Sequence, residues 1–311
     1  MIQTAVAASS SSSAAPTPPW IELPEDLTAN ILKRLDVEEI LESAQKVCST
    51  WWRVCKNPAM WRVIDFDSHR CASHNVRNIW LCAVDRSQGQ LLELKLSGSR
   101  MDDLLAYAAE RSSQLRCLTL DVYLIHTVLM SIKKLPQLEE LHLIARSRFT
   151  LQDFETIVVS CPTLKSFTYE EFWNCNREFT DHAVAIGKTM PNLRHLRLFN
   201  LSIENKGLEA ILDGCPGLES LHLQLCSGLD LQGGLGKRCS DRIKDLILDP
   251  VSSQSEHDSE PYQSERDQAD YDWDEDDDLS YSRHDIDGYD PFSSFPGQFW
   301  FSDYDSDPDF H

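Results

Sequence analysis

Apolar residues recur along this chain in two rhythms. Between Trp20 and Phe66 the spacing is helical. Leu27, Ile31, Leu32 and Leu35 follow Leu23-Pro24, and proline suits an early helical position because its missing N–H would be unpaired there anyway. A second run, Val37 to Cys55, carries Ile40, Leu41, Ala44, Val47, Cys48, Trp51 and Trp52 and reads as helix. Asn57-Pro58 predicts a brief third helix ending at Trp61, and Trp61-x-x-Ile64-x-Phe66 predicts a short strand. A module this small cannot bury so much apolar surface by itself. The surplus must pack against the rest of the chain or against another protein.

The segment from His74 to Arg86 has helical periodicity through Val76, Ile79, Trp80 and Ala83. A second rhythm then takes over. The phrase Leu-x-x-Leu-x-Leu, with conservative replacements, starts at Leu91, Leu115, Leu138, Leu164, Leu193, Leu218 and Ile243. The intervals are 24, 23, 26, 29, 25 and 25 residues, all within the leucine-rich-repeat range. Amphipathic spacers at Leu104–Glu110, Val128–Lys134, Phe154–Val159, Ala183–Thr189 and Leu208–Leu212 predict one helix per repeat. Four of them end in a Pro-x-Leu turn, at Pro136, Pro162, Pro191 and Pro216, where proline stops the helix without touching a strand ladder.

Within each phrase the leucines point into the core, and alternate residues point to the opposite, concave face. That face is expected to carry His142, His195, Arg197, Phe199 and His222, a mixed polar surface of the kind used to recognise proteins. The same positions also suit a merely solvated sheet face. The longest repeat adds the segment Glu171–Phe179, with Trp173 expected on a loop beside His195, Arg197 and Phe199.

Charge divides the chain differently. The net charge of −21 is concentrated in residues 251–311, which hold 19 acidic and 2 basic side chains, against 31 and 27 in residues 1–250. No basic patch dominates, which argues against nucleic-acid binding. No apolar run approaches the ~18 residues that a membrane span needs. Residues 1–19 are rich in Ala, Ser, Thr and Pro and uncharged, without the basic start and long apolar run of a signal peptide, and disorder is expected there. The acidic end is expected to be disordered too, although Trp273, Phe299, Trp300 and Phe301 leave open a docking role beside a solubilising one.

Chemistry finds little foothold. The ten cysteines form no C-x-x-C pair, which disfavours zinc and redox sites and fits reduced thiols. Asp276–Asp278 lack the glycine turn of a calcium loop, and Gly233-Gly234-x-Gly236 lacks the lysine and serine of a phosphate loop. No catalytic residue, metal or cofactor is expected.

The ordered set Leu23-Pro24, Leu27, Ile31-Leu32, Leu35, Val47-Cys48, Trp51 and Trp61 resembles an F-box, and the repeats resemble the solenoid of plant F-box/LRR proteins. Cys215-Pro216 with Leu218, Leu221, Leu223 and Cys226 fits the cysteine-containing repeat subtype, whose second cysteine most other copies lack. The resemblance implies an α/β chain. It has a disordered N-terminus (1–19), a helical F-box (20–66), a solenoid of about seven repeats (67–250) and an acidic disordered tail (251–311). It also implies that the F-box residues just named bind a Skp-family adaptor and, through it, cullin, while the solenoid holds a target protein for ubiquitination. A non-ligase scaffold and a small-molecule receptor are the alternatives, the latter disfavoured by the open arc of so few repeats. The expected location is the nucleus, the cytoplasm or both.

Overall fold

The computed structural model describes residues 23–250, apart from 69–70, 72–74, 99–101, 123–124, 148 and 173–176. The expectations for residues 1–19, for Trp173 and for the acidic tail lie outside the described residues.

The first helix, α1 (Glu25–Leu32), follows Pro24, and its i, i+4 pair Thr28 and Leu32 is buried. The run from Val37 to Cys55 is not the continuous helix that its spacing suggests. Asp36 and Glu39 form a reciprocal capping box that starts α2 (Val37–Glu42). A 3₁₀ turn at Ala44–Lys46 follows, Cys48 is fully extended, and α3 (Ser49–Lys56) begins afresh. The break turns α3 back against α1, where Arg53 Nη2 meets Glu25 Oε1 at 3.4 Å. Asn57 Oδ1 accepts from Ala59 N at 3.0 Å and, with Pro58, opens the expected short helix, a 3₁₀ turn over Pro58–Trp61.

Next come β1 (Val63–Asp67), α4 (Val76–Ser87), β2 (Glu93–Ser97), α5 (Asp102–Arg111), β3 (Cys117–Val122), α6 (Ile125–Ile132), β4 (Glu140–Ala145), α7 (Leu151–Ser160) and β5 (Ser166–Glu171). The chain continues through β6 (Arg177–Glu178), α8 (Thr180–Thr189), β7 (His195–Phe199), β8 (Leu201–Ser202), α9 (Asn205–Gly214), β9 (Ser220–Cys226), α10 (Gly234–Arg242) and β10 (Asp245–Pro250). The long strands form one parallel eight-stranded sheet in the order β1-β2-β3-β4-β5-β7-β9-β10. The sheet has one strand more than the seven leucine phrases, because the end of the helical module supplies β1. A two-stranded sheet pairs β6, in the longest repeat, with β8, in the next, and has no counterpart in the sequence pattern.

The register follows the phrase. Leu94 pairs Leu118, Leu118 pairs Leu141, Leu141 pairs Phe167, and the row continues through Leu196, Leu221 and Leu246. From Leu94 to Leu221 these side chains are buried, each removed from water at roughly 1.5–3 kcal/mol. Just before the strands a second ladder stitches the repeats. The carbonyl of Arg62 accepts from Leu92 N and Glu93 N, that of Leu92 from Arg116 N and Cys117 N, and the scheme repeats at Arg116, Glu139, Lys165, Arg194 and Glu219.

The helices cover one face of this sheet. Gly187 and Gly214 let α8 and α9 touch backbone to backbone: a Cβ on Gly187 would collide with the Ala210 carbonyl. Packed helices sit about 8–10 Å apart and strands about 4.8 Å apart, so the stack bends toward its strands. The uncovered strand face is therefore the concave one.

Candidate interaction surfaces

Two surfaces stand out, one at each part of the chain. The helical module leaves Leu27, Ile31, Val47 and Trp52 largely in solvent, at 46, 40, 63 and 48 % exposure. Pro24 is exposed, and Leu23, Leu35, Cys48 and Trp51 are half-buried around them. Two expected docking residues turn out otherwise. Leu32 is fully buried, and Trp61 is 2 % exposed with its indole N–H donating to the Cys55 carbonyl at 2.8 Å. Both hold the module together and offer no surface. Trp52, which the sequence reading passed over for Trp51, is the exposed tryptophan; the Lys56 ammonium sits 5.6 Å from its ring centroid.

The module is joined to the solenoid through Arg86 of α4. This arginine is buried, with Nη2 2.7 Å from Gln45 Oε1, Nη1 3.4 Å from the Cys55 carbonyl, and its guanidinium 5.7 Å from the Trp61 ring centroid. Gln45 is held in turn by a bond from its side-chain amide to the Leu41 carbonyl. Neither Arg86 nor Gln45 carried any signal in the sequence beyond an ordinary polar helix position.

The second surface is the open sheet face. Strand register sets Asp65, Lys95, Thr119, His142, Thr168, Arg197, His222 and Ile247 in one row across it. The next row toward the strand C-termini brings Ile144, Glu170, Phe199 and Gln224 side by side. His195 and Arg197 are exposed, and His142 and Phe199 are half-buried. His222 departs from expectation: it is 7 % exposed and committed to Asp245, with Nε2 2.8 Å from Oδ2. His142 keeps a buried Nε2 with no hydrogen-bond partner, and burial, then the charge of Arg197, hold its imidazole below the usual range.

Ser220, His222 and Asp245 bring together the residue types of a hydrolase triad, but not its order of contacts. Asp245 Oδ2 accepts from Ser220 Oγ at 2.8 Å and lies on the same His222 nitrogen that approaches Ser220 Oγ at 3.2 Å. A triad needs the carboxylate on the far nitrogen, so that the near one can take the serine proton. Here the trio fastens β10 to β9. The hydroxyl and the imidazole hold the Asp245 carboxyl below the usual carboxylate range.

The most deeply buried thiols among the described residues are poor nucleophiles. Burial pushes Cys55, Cys215 and Cys226 up to about 11 and Cys161 up to about 12, far from a thiolate at neutral pH. Among the described residues no group of three His, Cys, Asp or Glu side chains is placed to hold a metal ion. A shallow cleft lined by Asp36, Glu38, Asp65 and Asp67 lies where α2 meets β1.

A helical module with apolar side chains left in solvent is fastened to a parallel-sheet solenoid with one open face. Comparison with known proteins narrows the class. Residues 20–67 match the F-box-like family, and residues 167–232 match the family described as FBD-associated F-box protein At5g56370, LRR repeats. The chain is 44 % identical over 241 residues to F-box/LRR-repeat protein 22 of Arabidopsis thaliana, covering 73 % of this chain and 76 % of that one. It is 40 % identical over 278 residues to the F-box protein SKIP19 of the same plant, covering 87 and 88 %. F-box/LRR-repeat protein 23 of that plant is 43 % identical over 259 residues, which is 78 % of this chain and 58 % of the longer relative. This chain belongs to the plant F-box/LRR-repeat proteins.

Proposed function

We propose that this F-box protein is the substrate-recognition subunit of an SCF-type ubiquitin ligase. In this reading the F-box binds a Skp-family adaptor and, through it, cullin, while the open face of the solenoid holds a target protein in the nucleus, the cytoplasm or both. The chain itself performs no chemistry. Its contribution is proximity: it raises the effective concentration of target lysines near a conjugating enzyme recruited by the cullin.

The observation that carries this reading is the exposure of Leu27, Ile31, Val47 and Trp52 on a module whose Leu32, Ile40, Leu41, Val54 and Trp61 are buried. Contiguous apolar surface left in water marks an interaction site. Buried anchors at protein interfaces are worth about 2 kcal/mol or more each, and 1.4 kcal/mol is tenfold in affinity. The double change Ile31→Ala/Trp52→Ala should therefore weaken adaptor binding at least tenfold while the unfolding midpoint stays near wild type. Undiminished co-purification of adaptor and cullin with that folded variant would remove the basis of the reading.

A further inference from the structure

Most charges on the open face are answered from within it. Lys95 Nζ lies 3.2 Å from Glu93 Oε1 and 3.7 Å from Asp65 Oδ2. Arg146 forks onto Asp121, Nε to Oδ1 at 2.5 Å and Nη2 to Oδ2 at 2.7 Å, and its guanidinium lies 4.1 Å from the Phe172 ring centroid. Asp245 is held by Ser220 and His222. Arg197 differs. It is exposed at the middle of the face, and among the described residues no carboxylate forms an ion pair with it. Its register neighbours Thr168 and His222 bring no negative charge, and the Asp245 carboxylate, which feels its charge, is bonded to Ser220 and His222 instead.

Beside this cation stand three apolar side chains, with Glu170 between two of them. Phe199 stands two residues further along the same strand, Ile144 lies in the row of Phe199, and Phe172, at 46 % exposure, is steadied by Arg146. Two residues along a strand span about 6.6 Å, which is also the repeat between same-face side chains of an extended peptide. Glu170 pairs with Phe199 in register and keeps further negative charge off the apolar side.

Building on the reading of this face as the target-binding surface, we propose that the target presents an extended segment in which one acidic and one apolar side chain stand two residues apart. The carboxylate meets Arg197, and the apolar side chain lies on Phe199 and Phe172. A densely acidic stretch such as residues 272–278 of this chain fits less well, because Glu170 lies beside Phe199 in register and the Asp245 carboxylate already feels the Arg197 charge.

The test is selection of a displayed random dodecapeptide library on the purified full-length chain. Enrichment of Asp or Glu two residues from Leu, Ile or Phe is expected. A synthetic peptide of that consensus should bind at least tenfold more weakly to Arg197→Glu, and a version with Lys at the acidic position should regain binding to Arg197→Glu, which a folding defect cannot produce. Absence of that spacing, or wild-type binding by Arg197→Glu, overturns the proposal. So does tighter binding of a peptide spanning residues 297–311, which would make the chain's own tail the occupant. Adaptor co-purification with Arg197→Glu is read in parallel. Retained adaptor with no peptide preference sinks only this inference, whereas loss of adaptor and cullin from the Ile31→Ala/Trp52→Ala variant sinks nothing here and supports the ligase reading.

Discussion

Arg86 Nη2 donates to Gln45 Oε1 at 2.7 Å, joining helix α4 of the solenoid to the turn after α2 in the F-box. The contact is buried, and its arginine has amide and carbonyl oxygens and an indole face as neighbours. A guanidinium taken out of water into such a site depends on every bond it makes.

Removing Gln45 should therefore be felt more than its single bond suggests. Gln45→Ala leaves a buried cation short of an acceptor, and about 1–3 kcal/mol of stability should be lost. Arg86→Met keeps most of the packing on Trp61 and deletes the charge. The double variant should be more stable than Gln45→Ala alone, a coupling that a denaturant-unfolding double-mutant cycle measures directly. Simple additivity of the two changes would show that the joint does not rest on this contact.

A second prediction follows from the close approach of α8 and α9. Gly187→Ala drives a Cβ into the Ala210 carbonyl, and overpacking of this kind costs about 1–3 kcal/mol. Gly234→Ala, where nothing lies within 4 Å, should be neutral or slightly stabilising. Thermal midpoints of the two variants should separate accordingly.

The open face predicts a pH response. His142 is held below the usual imidazole range, so the unfolded chain takes up its proton at a higher pH than the folded one. Stability from this group is present above the unfolded value of about 6.5 and falls as pH drops from there toward the folded value. His142→Gln should flatten part of the decline in thermal midpoint between about pH 7 and pH 5. An unchanged slope would show that other groups account for it. Asp245 acts lower: its depressed carboxyl contributes above the unfolded value of about 3.9, and that contribution is lost as pH falls through the folded value.

Thiol labelling offers a fourth check. Cys161, Cys215 and Cys226 are buried and shifted far up, and they should resist iodoacetamide at neutral pH until the chain unfolds. Half-buried Cys48 should label in the native state. Mass spectrometry of native and denatured samples separates the two groups.

The repeat phrase made the sheet legible before any coordinate, because side-chain alternation in a strand leaves one solution for a buried leucine row. Arg197 and Phe199 were placed on a shared face by counting alone. The F-box was less transparent. In α1 the pairs Thr28/Leu32 and Leu27/Ile31 form two columns about 100° apart around the helix, and periodicity does not say which one the neighbours cover. The structure covers the first and exposes the second, although the first includes a threonine. The break between α2 and α3 was hidden for a related reason: the apolar spacing runs unbroken across Ser43 and Cys48, whose backbones are not helical. Arg86 and Gln45 were invisible because two polar residues 41 positions apart become partners only once the tertiary fold exists.

The carbonyl ladder ties each repeat to the next, and the Arg86 joint ties the stack to the helical module. Seven strand-to-strand steps of about 4.8 Å separate β1 from β10, a reach of about 34 Å measured straight across the sheet. For a stack that moves as one body, a tilt of about 10° at Arg86 would sweep the far strand through roughly 6 Å, about the step between same-face residues on a strand. In the proposed ligase reading, a loosened root would move a held target lysine out of line with the donor thioester. On that reading, variants at Gln45 or Arg86 would change which lysine is modified before they change whether a target is bound.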